Sequence, residues 1–293
     1  MSFPRLRTPA AGLDASPRLS GLRPCPNVDR AAWIAVALRN FDGTVGSIVP
    51  PVFDAYARVF HPASRLTGGD EAAVSWTEVA QANGREMHPA AEWESISGSC
   101  QRQRQAGIWD RAPATGQLPH PVAQRLAAVL SAHTEAPSHG FFGVWEGWGR
   151  PQGTFLFSKD TPQEAQKRAR DAFHAEASAW HGLIDAAPRF AMPDRTMHLL
   201  CGALAAIDDF YERYGGPSSL CLRNPPSLWW PADEAWCVGT DIDLMTTHIG
   251  AGDAAIKALL ADEQLEVLRV SGDQDVTCNA DKINPLPQGH KRP

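Results

Sequence analysis

Ser227-Leu-Trp-Trp-Pro-Ala-Asp-Glu-Ala-Trp-Cys-Val-Gly-Thr-Asp-Ile-Asp243 holds three tryptophans within eight residues, then two aspartates two positions apart. An indole is costly to expose and its N–H wants a partner, so the cluster marks a dense core or an aromatic-walled site. From Ala235 to Leu244 the run reads as a strand. Alternation sends Trp236, Val238, Thr240, Ile242 and Leu244 to one face, and Ala235, Cys237, Gly239, Asp241 and Asp243 to the other. The second face is small and then acidic. Small residues let a helix or a ligand approach the backbone. Two carboxylates about 7 Å apart on one face could share a hard cation or hold a substrate amine. His248 follows closely enough to join them, so Asp241, Asp243 and His248 form the candidate catalytic centre.

Beyond this strand, Gly250-Ala-Gly252-Asp-Ala-Ala255 has the loose form of a dinucleotide fingerprint between a strand and a helix. The helix, Asp253 to Ala261, is short and no second nucleotide-binding half is evident, so Gly252 reads more simply as a turn glycine. Leu265 to Val270 is a further strand. Upstream, Leu199 to Tyr214 reads as a helix ending at Gly215-Gly216. Thr161-Pro-Gln-Glu164 has the form of a capping box opening a helix to about Ile184, with Ala169, Phe173, Trp180 and Ile184 buried. Phe141 to Trp148 pairs with Thr154 to Phe157 in a plausible hairpin. It carries Trp145, Trp148 and Glu146; a carboxylate enclosed by rings would have a raised pKa and could move a proton.

The first half reads as mainly helical. Asn27 caps a helix over 31–38. Pro50-Pro51 opens another, with Val52, Phe53, Tyr56, Val59 and Phe60 on one stripe. Short helices follow at 77–82 and 90–96, and a longer one from Pro121 carries Val122, Leu126, Val129 and Leu130. His61, His88 and His120 each precede proline, which places them at element boundaries, where histidines are commonly part-exposed. The expected fold is α+β, a helical N-terminal half packed on a small mixed sheet in the C-terminal half. Residues 1–27 read as disordered or draped, 28–135 as helical, 136–284 as the α+β region and 285–293 as a tail.

The 293 residues are 43% apolar and 20% charged, ordinary for a globular chain with a sizeable core. A net charge of −6 argues against binding nucleic acid by phosphate neutralisation. Arginine outnumbers lysine 22 to 5, which together with abundant Ala, Gly and Pro fits a GC-rich genome. The six cysteines form no CxxC pair. No secretory core and no run of 18 apolar residues occurs, so the expected location is the cytoplasm, with reduced thiols and no membrane partner. No hydrolase elbow, Walker loop, zinc-protease motif or kinase signature is present.

Two blocks, Val45-Gly-Ser-Ile-Val-Pro-Pro-Val-Phe-Asp-Ala-Tyr-Ala-Arg-Val-Phe-His-Pro-Ala63 and Leu228 to Asp243, resemble a group of actinobacterial proteins over about residues 30 to 285. That group has no established activity, so the resemblance implies a bacterial source and a cytosolic location but transfers no functional residue.

Two functions follow as expectations. One is recognition of a small ligand or a partner protein through a surface bearing Trp229, Trp230, Trp236, Trp145 and Trp148, since aromatic residues dominate binding hot spots. The alternative is an enzyme, cation-dependent or not, whose Asp241 and Asp243 hold a cation while His248 or Glu146 moves a proton. In either case the site is expected where strand 235–244 meets the aromatic hairpin. The sequence assigns no cofactor and no metal.

Overall fold

The computed structural model describes residues 21–38, 40–68, 70–99, 104–148, 159–211 and 224–287. In chain order its strands are β1 (Arg23–Pro24), β2 (Ala55–Phe60), β3 (Ala63–Thr67), β4 (Asp70–Val74), β5 (Gly140–Trp145), β6 (Arg189–Met192), β7 (Arg195–Gly202), β8 (Leu228–Pro231), β9 (Trp236–Gly239), β10 (Thr246–Ala251) and β11 (Val267–Val270). The helices are α1 (Ala32–Ala37), α2 (Trp76–Ala82), α3 (Trp93–Ser97), α4 (His120–Ser131), α5 (Gln163–Ala186) and α6 (Asp253–Leu260). Nine strands form one sheet in the order β1, β7, β5, β8, β9, β10, β2, β11, with β6 also paired to β7; β3 and β4 make a separate hairpin. Every strand pairing in the sheet is antiparallel. The chain is α+β, but the sheet is larger than expected and is not confined to the C-terminal half.

The departure is clearest at β2. The apolar spacing after Pro50-Pro51 predicts a helix, yet Ala55–Phe60 is a strand buried along its whole length. It lies between β10 and β11, and both of its faces are covered by core residues. Ala55, Ala57 and Val59 turn to one core, while Tyr56 turns to a second and Phe60 to a third. A strand covered on both sides carries a near-continuous apolar run, which periodicity does not separate from a helix. The same ambiguity explains Leu199 to Tyr214. Leu199, Leu200 and Cys201 belong to β7, and only Leu204–Tyr211 coils, as a 3-10 helix. Residues 212–216 lie outside the described residues, as does the Thr154–Phe157 half of the expected hairpin; its other half is β5.

Other expectations match the structure. α4, α5 and α6 lie within a residue or two of their sequence-derived limits. Asn27 does cap, accepting from the Asp29 N–H at 2.9 Å, although the first turn, Val28–Ala31, is a 3-10 turn that leads into α1. α5 starts without the expected capping box: its N-cap is Pro162, which offers no side-chain bond. Residues from the N-terminal stretch also join the fold, since β1 pairs with β7 and Leu22 and Cys25 are buried.

The strand alternation in 235–239 holds and divides the sheet into two faces. Trp229, Trp236, Val238 and Ile249 share one core with residues of α4, α5 and α6. Trp230, Cys237 and Leu228 share the other with Ile34, Ile48 and Val49. Trp229 and Trp236 meet edge to face at 5.1 Å, while Trp230 is ringed by Phe141, Phe190 and Trp33. The space that small residues leave on the Cys237 face is already filled. A Cβ added at Gly239 would stand 2.8 Å from Val49 Cγ1 and 2.9 Å from the Ile48 carbonyl oxygen. α5 does not reach this face, because Trp180 packs into the opposite core.

Trp230→Ala should therefore act on stability. A fully buried Trp→Ala change costs about 3–5 kcal/mol, whereas Trp145→Ala, at a half-buried ring, should cost markedly less. Urea unfolding followed by circular dichroism measures both, and equal losses would contradict this division of the core.

Candidate functional site

β9 ends at Gly239, so Asp241 and Asp243 sit on the connection to β10 and not on the strand. Asp241 folds that connection by accepting the Asp243 backbone N–H at 2.9 Å, a local side-chain turn typical of aspartate. Its other oxygen, Oδ2, lies 2.7 Å from Arg195 Nη1, and the Arg195 guanidinium stands 4.5 Å from the Phe41 ring centre. Asp241 is 5% exposed, whereas Asp243 is open to solvent. The two aspartates thus have separate tasks, and no bound cation is needed to explain Asp241.

Both line a cavity of about 340 Å3. Its walls include Arg58, Trp76, Glu92, Trp93 and Ser95. The elements that bring these together are the middle of the sheet and the α2–α3 segment that packs beside it. Arg58 is the cross-strand partner of His248 and emerges from β2 on the face away from Ala57 and Val59. Its side chain is 2% exposed. A buried guanidinium has to be answered by acceptors. Nε donates to Thr246 Oγ1 at 3.3 Å, Nη1 to the Pro89 carbonyl at 3.0 Å and Nη2 to Glu92 Oε1 at 3.0 Å. The rings of Phe60 and Trp76 flank it, with centres 4.9 and 5.9 Å away. Behind them Trp76, Trp93 and Trp109 stack edge to face at 5.3 and 5.2 Å.

Glu92 is held from behind. Its backbone N–H donates to Asp281 Oδ2 at 3.3 Å, and Asp281 Oδ1 is 3.0 Å from His88 Nε2. Burial raises the Glu92 carboxyl to about 7 against the pull of Arg58, and the charges of Asp281 and Asp275 push it the same way as burial. A carboxyl poised near neutrality beside a cavity is chemically competent to give or take a proton. Neither the Ser95 hydroxyl nor the Trp93 indole N–H has a hydrogen-bond partner, though both are buried.

The remaining expected site residues lie elsewhere. His248 is fully buried, touches no hydrogen-bond partner at either ring nitrogen and does not line the cavity. Burial, then Arg58 and His61, hold it neutral well below the ordinary histidine range. Glu146 is not enclosed by rings. It is exposed and ion-paired to Arg189 at 3.2 Å. Trp229, Trp230 and Trp236 have no exposed surface, and Trp145 and Trp148 are half-buried against each other at 5.7 Å. Tryptophans do wall the cavity, but they are Trp76 and Trp93.

Of the histidines before proline, His61 and His88 are buried, against expectation, while His120 is part-exposed as expected and paired to Asp208. The Ala114 carbonyl can only accept, so His61 Nδ1 carries the proton at 2.8 Å and Nε2 accepts from the Thr247 hydroxyl at 2.9 Å. The Thr240 hydroxyl completes the chain at 2.7 Å from Thr247 Oγ1. Burial lowers His61 to about 4. The Gly250-Ala-Gly252 turn is no phosphate cradle, because a Cβ at Gly250 would meet the Phe53 ring at 2.3 Å, and Gly252 has an ordinary φ of −62°. No group of three or more His, Cys, Asp or Glu able to hold a metal occurs among the described residues.

The sign of the pH dependence follows. The two histidines are depressed below 6.5, so their contribution is whole above 6.5 and is lost as pH falls towards their folded values. Glu92 is raised from 4.5 to about 7, so its contribution is whole below 4.5 and is lost as pH rises to about 7. Between pH 4.5 and 6.5 the slope of stability against pH is set by the depressed histidines, His198 among them, which raise it, against Glu92, which lowers it. His248→Leu should flatten that slope and Glu92→Gln should steepen it. Urea midpoints at pH 5, 6 and 7 report both, and an unchanged slope in His248→Leu would remove the assignment.

No protein family matches the chain, and neither the curated proteins nor the solved structures yield a match. The site's chemistry rests on its own residues.

Proposed function

We propose that this protein binds a small molecule in the cavity between Arg58, Trp93 and the 241–245 connection. The carrying observation is the wall itself. Ligand sites are concave and largely apolar, with a few convergent polar groups, and this cavity sets Trp76 and Trp93 beside Glu92 and Asp243. Its volume suits a compound of drug or metabolite size. Recognition is thereby moved from an exposed tryptophan surface to a concave one, and a small ligand is favoured over a partner protein.

The chain contains no described helix long and apolar enough to cross a membrane. A cytoplasmic location belongs to the same proposal, supported by free thiols at Cys25, Cys201, Cys237 and Cys278. Absence of nucleic-acid binding is proposed on the net charge of −6.

A second reading, catalysis, has its own support in Glu92. The centre is then Glu92 as general acid or base with Asp243 at the rim, not His248 or Glu146. Under this reading the rate on a turned-over ligand should follow a group titrating near 7, and Glu92→Gln should abolish that dependence. A rate profile that keeps its inflection in Glu92→Gln would rule Glu92 out.

Binding itself is tested by filling the space. Leu244 is half-buried and lines the cavity. In a fragment screen by thermal shift, ligands that raise the midpoint of the wild-type protein should lose that effect in Leu244→Trp, because binding to the native state stabilises by mass action. Hits that survive unchanged in Leu244→Trp would place binding elsewhere.

A further inference from the structure

Two free thiols meet at the β1 edge of the sheet. β1 pairs with β7 in the register Arg23 to Cys201 and Pro24 to Leu200, and the Cys25 N–H continues it by donating to the Leu199 carbonyl at 3.0 Å. Cys25 and Cys201 are therefore diagonal neighbours on one face, and both lie in the core that holds Leu199 and Trp230. Neither is in a disulfide, and they are 3% and 5% exposed. The two side chains interact directly, and Arg23 also reaches the Cys201 sulfur. The Cys25 S–H donates to the Asn27 carbonyl at 3.2 Å, while the Cys201 sulfur lies 4.0 Å from the Pro24 carbonyl oxygen. Burial, seconded by Cys25 and opposed by Arg23, holds the Cys201 thiol protonated above its ordinary range. In the closed sheet the pair is therefore inert.

The strand that covers the pair is weakly held. β1 is two residues long and ends the strand order of the sheet. Pro24 has no N–H to give to the pairing. Short edge segments open locally at a fraction of the free energy of global unfolding. Opening wets Cys201 beside Arg23, a cation that favours the thiolate. A diagonal pair closes into a disulfide with a small adjustment of one backbone, which a two-residue edge strand can give.

We propose that Cys25 and Cys201 are a redox pair that latches the edge of the sheet. Oxidation by a low-molecular-weight disulfide joins them and fixes β1 on β7, and reduction by a small thiol releases it. In the first step Cys201, as thiolate, attacks one sulfur of the small disulfide, whose S–S bond breaks; the departing thiolate takes up the proton that Cys201 gave. In the second, Cys25 attacks the Cys201 sulfur, and its proton goes to the second small thiol as that leaves. The protein gives up two electrons and two protons, and the small disulfide gains them as two thiols. In a reducing compartment such a bond is transient and redox-sensing.

The test treats the full chain in native buffer with glutathione disulfide, traps the remaining thiols with a maleimide and maps the peptides by mass spectrometry. The expected product is a peptide pair joined through Cys25 and Cys201, lost on adding dithiothreitol and absent from Cys25→Ser and from Cys201→Ser. The exposed Cys278 reports that the oxidant has acted. Two further readouts need no variant to fold. In the oxidised protein the Cys25 amide should exchange its hydrogen about tenfold more slowly than in the reduced protein. The urea midpoint should rise by about 1 M, because the link spans most of the chain. Modified Cys278 without a 25–201 link overturns the inference. So does a link that forms only in urea that unfolds the chain, a link of either thiol to a different cysteine, or a Cys25 amide that exchanges equally fast in both forms.

Discussion

A guanidinium buried in the middle of a sheet sets the terms for everything around it. Moving such an ion out of water costs several kcal/mol even after the protein relaxes, so Arg58 is tolerable only where acceptors converge. They come from β10 (Thr246), from the turn before α3 (Pro89) and from Glu92. The first fixes the arginine to its neighbour strand. The other two draw the 76–97 segment across the sheet face, where Phe60, Trp76 and Trp93 close around it. The cavity is what remains between this arch and the 241–245 connection. Its one carboxyl near neutrality is a by-product of the same requirement, since the group that answers Arg58 must itself be buried.

Local chemistry made several elements legible. α5 announces itself by long apolar periodicity, α4 by a proline in its first turn, and α6 by a stripe at Ala255, Ile256 and Leu259. The faces of β9 follow from alternation alone. β2 and β7 were hidden because both of their faces are covered. Alternation vanishes when there is no wet side, and Tyr56, Val59 and Phe60 then mimic a helical stripe. The strand expected over 235–244 ends at Gly239, and the cavity that Asp241 and Asp243 line is walled by the 76–95 segment and not by the aromatic segment 141–148 where the site is expected. Asp241 bends the chain into a turn, a role that its spacing from Asp243 resembles as closely as it resembles a metal pair.

The tryptophans teach a narrower lesson. Density of aromatic residues in sequence points to burial before it points to binding. Trp229 and Trp230 are adjacent, so a strand must send them to opposite cores, and neither keeps an exposed edge. Trp76 and Trp93 are 17 positions apart on two short helices, and only the tertiary arch brings them to one wall. Arg58 and Glu92 carry no motif at all. A sequence signal existed only in retrospect, as an arginine inside an otherwise apolar strand, Ala55-Tyr-Ala-Arg-Val-Phe60, which must find a counter-charge somewhere.

The position of β2 between β10 and β11 has a consequence in time. β10 and β11 run parallel to each other on either side of it, joined over the sheet by α6, so a strand from residues 55–60 is clasped by segments almost 200 residues later. Closing so long a loop makes folding slow relative to chains built from local contacts. At synthesis rates of about 5–20 residues per second, β2 leaves the ribosome roughly 10–40 s before its partners exist. For that interval an apolar ribbon with two unpaired edges and one stranded arginine has no sheet to join. Nascent-chain holding factors would meet this protein there, long before any ligand could.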